Sequence, residues 1–297
     1  IGRGNATNLS YFGSFSFLVP RIYCILHFLI LIFYLYRVGN YDLHEIPVLS
    51  LSLGTISGAF GITVAHELMH KKNYIDKNLA KLILCSVCYG HFYIEHLRGH
   101  HSRVATTDDP ATAKKNQDLY SFLIKSIFGS FVNALRLEKL RLHSKKSTEN
   151  FIKNKVVVFH LTSCAFMLLI LYFFGVNGLI LFLLQSIVAV VLLETTNYIE
   201  HYGLLRKKKQ NKGYFPVDDS HSWNSDHLLS NWILLHLPWH SDHHKHAGKS
   251  FSELCSRKNA PQLPYGYPTM IVMAFFPFIF ISLMNNVLDN YELRNNY

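Results

Sequence analysis

Three histidine clusters carry the chemistry that this sequence offers. His66 and His70 lie in HELMHKK, His96, His100 and His101 in EHLRGHH, and His240, His243 and His244 in HSDHH, while His201 stands apart in NYIEHYG. On an α-helix residues i and i+4 project from one face, so His66/His70, His96/His100 and His240/His244 each read as a two-ligand clamp, with His101 and His243 on the flanks of the same turns. A lone histidine is usually an interfacial or core residue with one nitrogen satisfied. Three patterned clusters that meet one face of a membrane are instead a metal-ligand set. Nine imidazoles are too many for one zinc, which takes about four ligands. Shared between two roughly octahedral metals they leave about three of about twelve positions open, and neutral imidazole with open positions suits iron and oxygen activation. Glu67, Glu95, Glu200 and Asp242 adjoin these histidines. Each points about 100° away from its neighbour, a placement better suited to orienting a histidine of another cluster through its second nitrogen than to direct ligation. His27, His44, His91, His143, His160, His221, His227, His236 and His246 lack partner spacing of this quality.

The elements that must position these residues are apolar. Of 297 residues 49% are hydrophobic and 16% charged, with a positive mean hydropathy, a balance that excludes an ordinary soluble enzyme. The formal charge of +10 does not mark a nucleic-acid binder, because Lys and Arg fall between the apolar segments, as in cytoplasmic loops of membrane proteins. The expected fold is all-α and integral to the membrane: two transmembrane hairpins, about four spans in all, near 15–36, 46–65, 156–174 and 178–196, holding a cytoplasmic histidine-rich cap in a single domain, 1–297. Gly54 and Gly58 at GxxxG spacing predict close helix packing, and Val176-Asn177 a tight turn within the second hairpin. The apolar segment near 79–94 carries Lys81 and His91 and is expected not to span, since a crossing there would put His66 and His96 on opposite faces. The segment near 268–283, interrupted by Pro277, is also read as non-spanning. Twelve Lys or Arg between 97 and 155 mark that side as cytoplasmic, and Arg206 to Lys209 form a solvated basic run. Asn5 and Asn8 match the glycosylation sequon but fall on the cytoplasmic side of this topology. The five cysteines read as packed free thiols, and the lone CxxC of Cys85 and Cys88 has no second pair to build a zinc or rubredoxin-type site.

The sequence blocks then resemble a known family. His66 to Lys72, EHLRGHHSRVATTDDPATA (95–113), NYIEHYGLLR (197–206), Ser222 to Asn231, HSDHH and PQLPYGYPTM (261–270) resemble, in order, the membrane-bound alkane 1-monooxygenases of the histidine-box hydroxylase and desaturase superfamily. The resemblance implies a single membrane hydroxylase domain whose nine histidines hold two non-haem iron ions. It implies hydroxylation of the terminal carbon of medium-chain alkanes with O2. With no GxGxxG fingerprint and no iron–sulfur cysteine set, electrons are expected from rubredoxin and its reductase, and the alkane from the bilayer lipid, in a bacterial-type inner membrane. Two departures stand out. The chain begins at Ile1, so the further N-terminal hairpin usual in the family is expected to be missing, and Leu237-Pro238-Trp239 replaces the polar residues that commonly precede HSDHH. A xylene-type methyl hydroxylase or a fatty acyl hydroxylase or desaturase would use the same site. A zinc protease built on HELMH, with Glu67 as base, leaves seven histidines idle, and a membrane metal carrier would spread its ligands along a path inside the bilayer.

Overall fold

The computed structural model describes residues 17–146, 151–210 and 213–294. Both sequons and the first residues of the first expected span lie outside them. Among the described residues the secondary structure is helical apart from two isolated bridges, Lys208 with Tyr214 and Asn224 with Gln262. The chain divides into two compact units: a first one containing 17–99 and 130–193, and a second containing 100–129 and 194–294.

In the first unit, α1 (Leu18–Arg37) and α2 (Ile46–Met69) are the first expected hairpin. The second is α6 (Lys155–His201), 47 residues broken at Gly175, whose φ of 66° lies in the left-handed region that a Cβ disfavours. The chain reverses at this glycine, not at Val176-Asn177, because only residue 175 adopts the turning conformation without strain; the spans expected at 156–174 and 178–196 are the two arms. These three helices are long and apolar enough to cross a membrane. Ile25, Leu29, Ile32 and Phe33 of α1 and Leu168, Leu169, Tyr172 and Phe173 of α6 are each more than half exposed. Apolar surface on that scale needs lipid to cover it, and the chain is an integral membrane protein.

The glycine pair works as its spacing predicts. A Cβ on Gly54 would lie 2.5 Å from Val188 Cβ, and one on Gly58 3.1 Å from Ala189 Cα, so α2 meets the second arm of α6 backbone to backbone. Leu31, Leu35, Leu53, Ile170, Leu181 and Phe182 fill the space beside this crossing. At Ser57–Ile62 α2 widens into a π turn, where Gly61 admits the ring of His27, itself bonded through Nε2 to Ser86 Oγ (2.9 Å). Arg21 pairs with Asp76 at 2.7 Å and ties α1 to α3 (Tyr74–Ser86). The apolar 79–94 segment breaks after Ser86, with Cys88 at φ 55°, and resumes as α4, which begins with Phe92–Ile94 and a π turn, Glu95–His100.

One helix was not anticipated. The basic stretch 97–155 contains α5 (Leu119–Ser144), 26 residues long. The second unit packs Leu119 and Phe122 of α5 with Tyr198 and Tyr202 of α6, Trp223, and Tyr267, Met270 and Phe280 of the C-terminal helices. The short helices α7 (Leu228–Ile233) and α8 (His240–Lys245) precede α9 (Tyr267–Ala274) and α10 (Pro277–Arg294). Pro277 opens α10 at its first position, where no backbone N–H is needed, and the helix runs well beyond 283.

Candidate metal centre

The second unit gathers four histidines about one point. His201 ends α6, where Gly203, at φ 74°, turns the chain away and donates its N–H to the Ala113 carbonyl (2.9 Å). His240 and His244 come from one face of α8, whose first turn is fixed by the Ser241 N–H bonded to Asn224 Oδ1 (2.8 Å). His100 closes the π turn of α4. The Nε2 atoms are 3.2 Å apart between His100 and His244, 2.9 Å between His244 and His240, and 3.3 Å between His240 and His201. All four residues are buried. One proton on a ring nitrogen cannot serve the two imidazole nitrogens and the Glu200 Oε2 (3.2 Å) that surround His240 Nε2. A cation at the centre satisfies them together. Two nitrogens about 2.0–2.1 Å from one ion are about 2.8–3.0 Å apart at a right angle and about 3.3–3.4 Å apart at the tetrahedral angle, a range that contains the observed spacings. Burial and the neighbouring imidazoles push His244 well below the usual histidine range and keep it neutral, the form that ligates. These residues fit a metal ion.

His101 and His243, also in the second unit, face each other with Nε2 atoms 3.2 Å apart. In the first unit, His66 and His70, at the end of α2, gather with His96: His96 Nε2 lies 3.2 Å from His70 Nε2, and the His66 and His96 rings are 4.5 Å apart. The clamps expected of His66/His70 and His240/His244 are formed. That of His96/His100 is not: His96 groups with His66 and His70, and His100 with His201, His240 and His244. Both residues lie in the π turn Glu95–His100, whose hydrogen bonds run from i to i+5.

The four carboxylates next to the histidines have different fates. Glu200 touches His240 at the nitrogen that faces the other rings, not at its second nitrogen, and accepts a hydrogen bond from the buried Tyr267 hydroxyl (2.9 Å). Glu67 pairs with Lys71. Glu95 accepts from Asn133 and lies over Gly99, where a Cβ would strike it. Asp242 is fully buried but receives Arg257, Lys249, His246 and the Cys255 N–H. Burial pushes its carboxyl up, and these donors outweigh burial and bring it to about 2. It braces the loop after α8 and orients none of the nine histidines.

The orienting carboxylate that sequence spacing missed is Asp109. Its Oδ2 lies 2.9 Å from His100 Nδ1 and accepts from the Thr112 hydroxyl (2.7 Å). This contact assigns the proton of His100 to Nδ1 and leaves the Nε2 lone pair toward the other histidines. The signal was present in TTDDPAT, whose Asp-Pro marks a turn that brings residue 109 back beside residue 100.

A family model described as fatty acid desaturase matches residues 43–274. Alkane 1-monooxygenase 2 of Pseudomonas aeruginosa is 42% identical over 247 residues, 83% of this chain and 66% of that protein. Alkane 1-monooxygenase 1 of Alcanivorax borkumensis is 43% identical over 82% of this chain and 60% of that protein. The xylene/toluene monooxygenase hydroxylase component of Pseudomonas putida is 28% identical over 82% of this chain and 65% of its own length. The chain thus spans less than two thirds of the length of these relatives.

Proposed function

The chain belongs to the fatty acid desaturase family, and on that footing we propose that it is a non-haem di-iron monooxygenase that hydroxylates the terminal carbon of medium-chain alkanes with O2. The observation that carries the reading is the four-histidine site of the second unit, in a chain about 40% identical to proteins named alkane 1-monooxygenase. The proposed ligands are His66, His70 and His96 in the first unit and His100, His101, His201, His240, His243 and His244 in the second, in what we read as a single hydroxylase domain. Two iron ions bound there would supply the redox chemistry that inserts one atom of O2 into a C–H bond while the other leaves as water. Asp109 holds His100 in the ligating tautomer, Tyr267 holds Glu200 beside His240, and the burial of His100, His201, His240 and His244 excludes bulk water from the reacting face.

Hydroxylation consumes two electrons per O2, and the five cysteines are free thiols without an iron–sulfur or rubredoxin motif. Rubredoxin, with rubredoxin reductase, is the proposed donor. The basic residues between 97 and 155 support a cytoplasmic placement of the histidines in a bacterial inner membrane, and the apolar faces of α1 and α6 support delivery of substrate from lipid. Hydroxylation of an aromatic methyl group is the second reading, carried by the more distant xylene/toluene relative. Membranes containing the chain, supplied with octane, 18O2 and a reduced rubredoxin, should yield 18O-labelled 1-octanol. Labelled methylbenzyl alcohol from xylene, with no octanol, would favour the second reading.

A further inference from the structure

We propose that Trp223 and Tyr291 form an exit for oxidising equivalents from the four-histidine site, an electron path that protects the protein when oxygen is reduced with no substrate in place. The proposal rests on the monooxygenase reading above. Trp223 is fully buried and is fastened to the residues on both sides of His201: its backbone N–H donates to the Glu200 carbonyl (2.9 Å) and its indole N–H to the Tyr202 carbonyl (2.8 Å). Its ring meets that of Tyr291, with centroids 6.3 Å apart. Tyr291, on α10, donates its hydroxyl to the Asn259 carbonyl (3.0 Å) and lines two surface grooves of about 770 and 520 Å³. From a candidate ligand to solvent, each link is therefore a covalent bond, a hydrogen bond or a ring contact.

The chemistry of the rings sets the direction. Indole and phenol surrender an electron only to a strongly oxidising centre, so they are no stations for an electron arriving from a mild protein reductant. They suit a centre that molecular oxygen has oxidised and that finds no C–H bond to attack. With iron bound there, Trp223 would give one electron to the oxidised site and become a radical cation. Tyr291 reduces it: the phenol loses one electron to Trp223, its O–H bond breaks, and the proton passes to water at the groove. The neutral tyrosyl radical left at the surface is quenched by a hydrogen atom from a small soluble thiol.

The test uses the full chain, iron-loaded in lipid nanodiscs, reduced and exposed to O2 without alkane. Electron paramagnetic resonance should record a neutral tyrosyl radical, and a nitroso spin trap should label Tyr291 by peptide mass spectrometry. Tyr291→Phe should lose both signals and inactivate several-fold faster in substrate-free turnover, with alkane-coupled turnover as in the wild type. Trp223→Phe should also lose the Tyr291 label, and if that core variant misfolds the surface variant still decides. A wild type that consumes oxygen without labelling Tyr291, or a Tyr291→Phe chain that survives equally long, overturns the exit path alone. A wild type that takes up iron but consumes no oxygen overturns the monooxygenase reading with it.

Discussion

Replacing Asp109 tests how the second unit presents a ligand. Its carboxylate is fully buried between His100 Nδ1 (2.9 Å), the Thr112 hydroxyl (2.7 Å) and the Ala111 N–H (3.2 Å). Burial alone would raise its pKa, but the neighbouring His100 imidazole and the hydrogen bonds from His100 and Thr112 bring it to about 2, so it is ionised across the working range. Asp109→Asn keeps an acceptor and removes the charge. Asp109→Ala removes both, frees His100 to rotate or take the other tautomer, and strands the Thr112 hydroxyl. Partners of this kind are worth about 10- to 100-fold in metal affinity, or about 1.4 to 2.7 kcal/mol. One of four clustered ligands is affected, so a loss near tenfold is expected for Asn and near a hundredfold for Ala. Cobalt(II) titration against a competing chelator, followed by the ligand-field bands, reads this on purified protein without any turnover. Asp109→Ala binding cobalt as tightly as the wild type would refute the assignment of Asp109 as the group that orients His100.

Other consequences follow from packing and charge. Gly54→Val should clash with Val188 across the α2–α6 crossing and lower stability by about 1–3 kcal/mol or more, measured as a drop in melting temperature in detergent, whereas Gly39→Ala, with nothing within 4 Å, should stay near wild type. Tyr267→Phe leaves a buried oxygen of Glu200 without its donor and should cost about 1–3 kcal/mol, read by the same assay. For Glu138, burial raises the carboxyl, but bonds from Arg141 and the Lys155 N–H and the charges of Arg141 and Arg98 outweigh it and hold it below its usual value. A depressed carboxylate stabilises above its unfolded pKa, about 4.3, and that contribution disappears as pH falls through the folded value. Melting temperature should therefore fall below about pH 4.3, and Glu138→Gln should flatten this limb while lowering stability at neutral pH.

The spans, the glycine crossing and the histidine gathering were legible because each depends on a short-range period: apolar length, GxxxG spacing, and i, i+4 pairing on regular helix. His240 and His244 meet as their spacing predicts. His96 and His100 fall in different clusters at a π turn, and nothing in EHLRGHH announces that departure from the regular helix. Helix α5 is hard to see in the sequence because its apolar positions, such as Leu119 and Phe122, are dispersed among basic residues. Asp242 differs from its expected role for a related reason. Adjacency to a histidine says where Asp242 lies in the chain, but Arg257 and Lys249, several residues beyond, decide where its charge is spent. Asp109 reaches His100 through a turn, a distance that no helical period describes.

The most direct test of the central claim is metal content per chain in protein purified from membranes, measured by plasma mass spectrometry for the wild type and for His100→Ala and His66→Ala. About two irons per wild-type chain are expected, with each substitution depleting iron and abolishing alcohol formation from octane. A single zinc with no iron, unaffected by loss of His100, would contradict it.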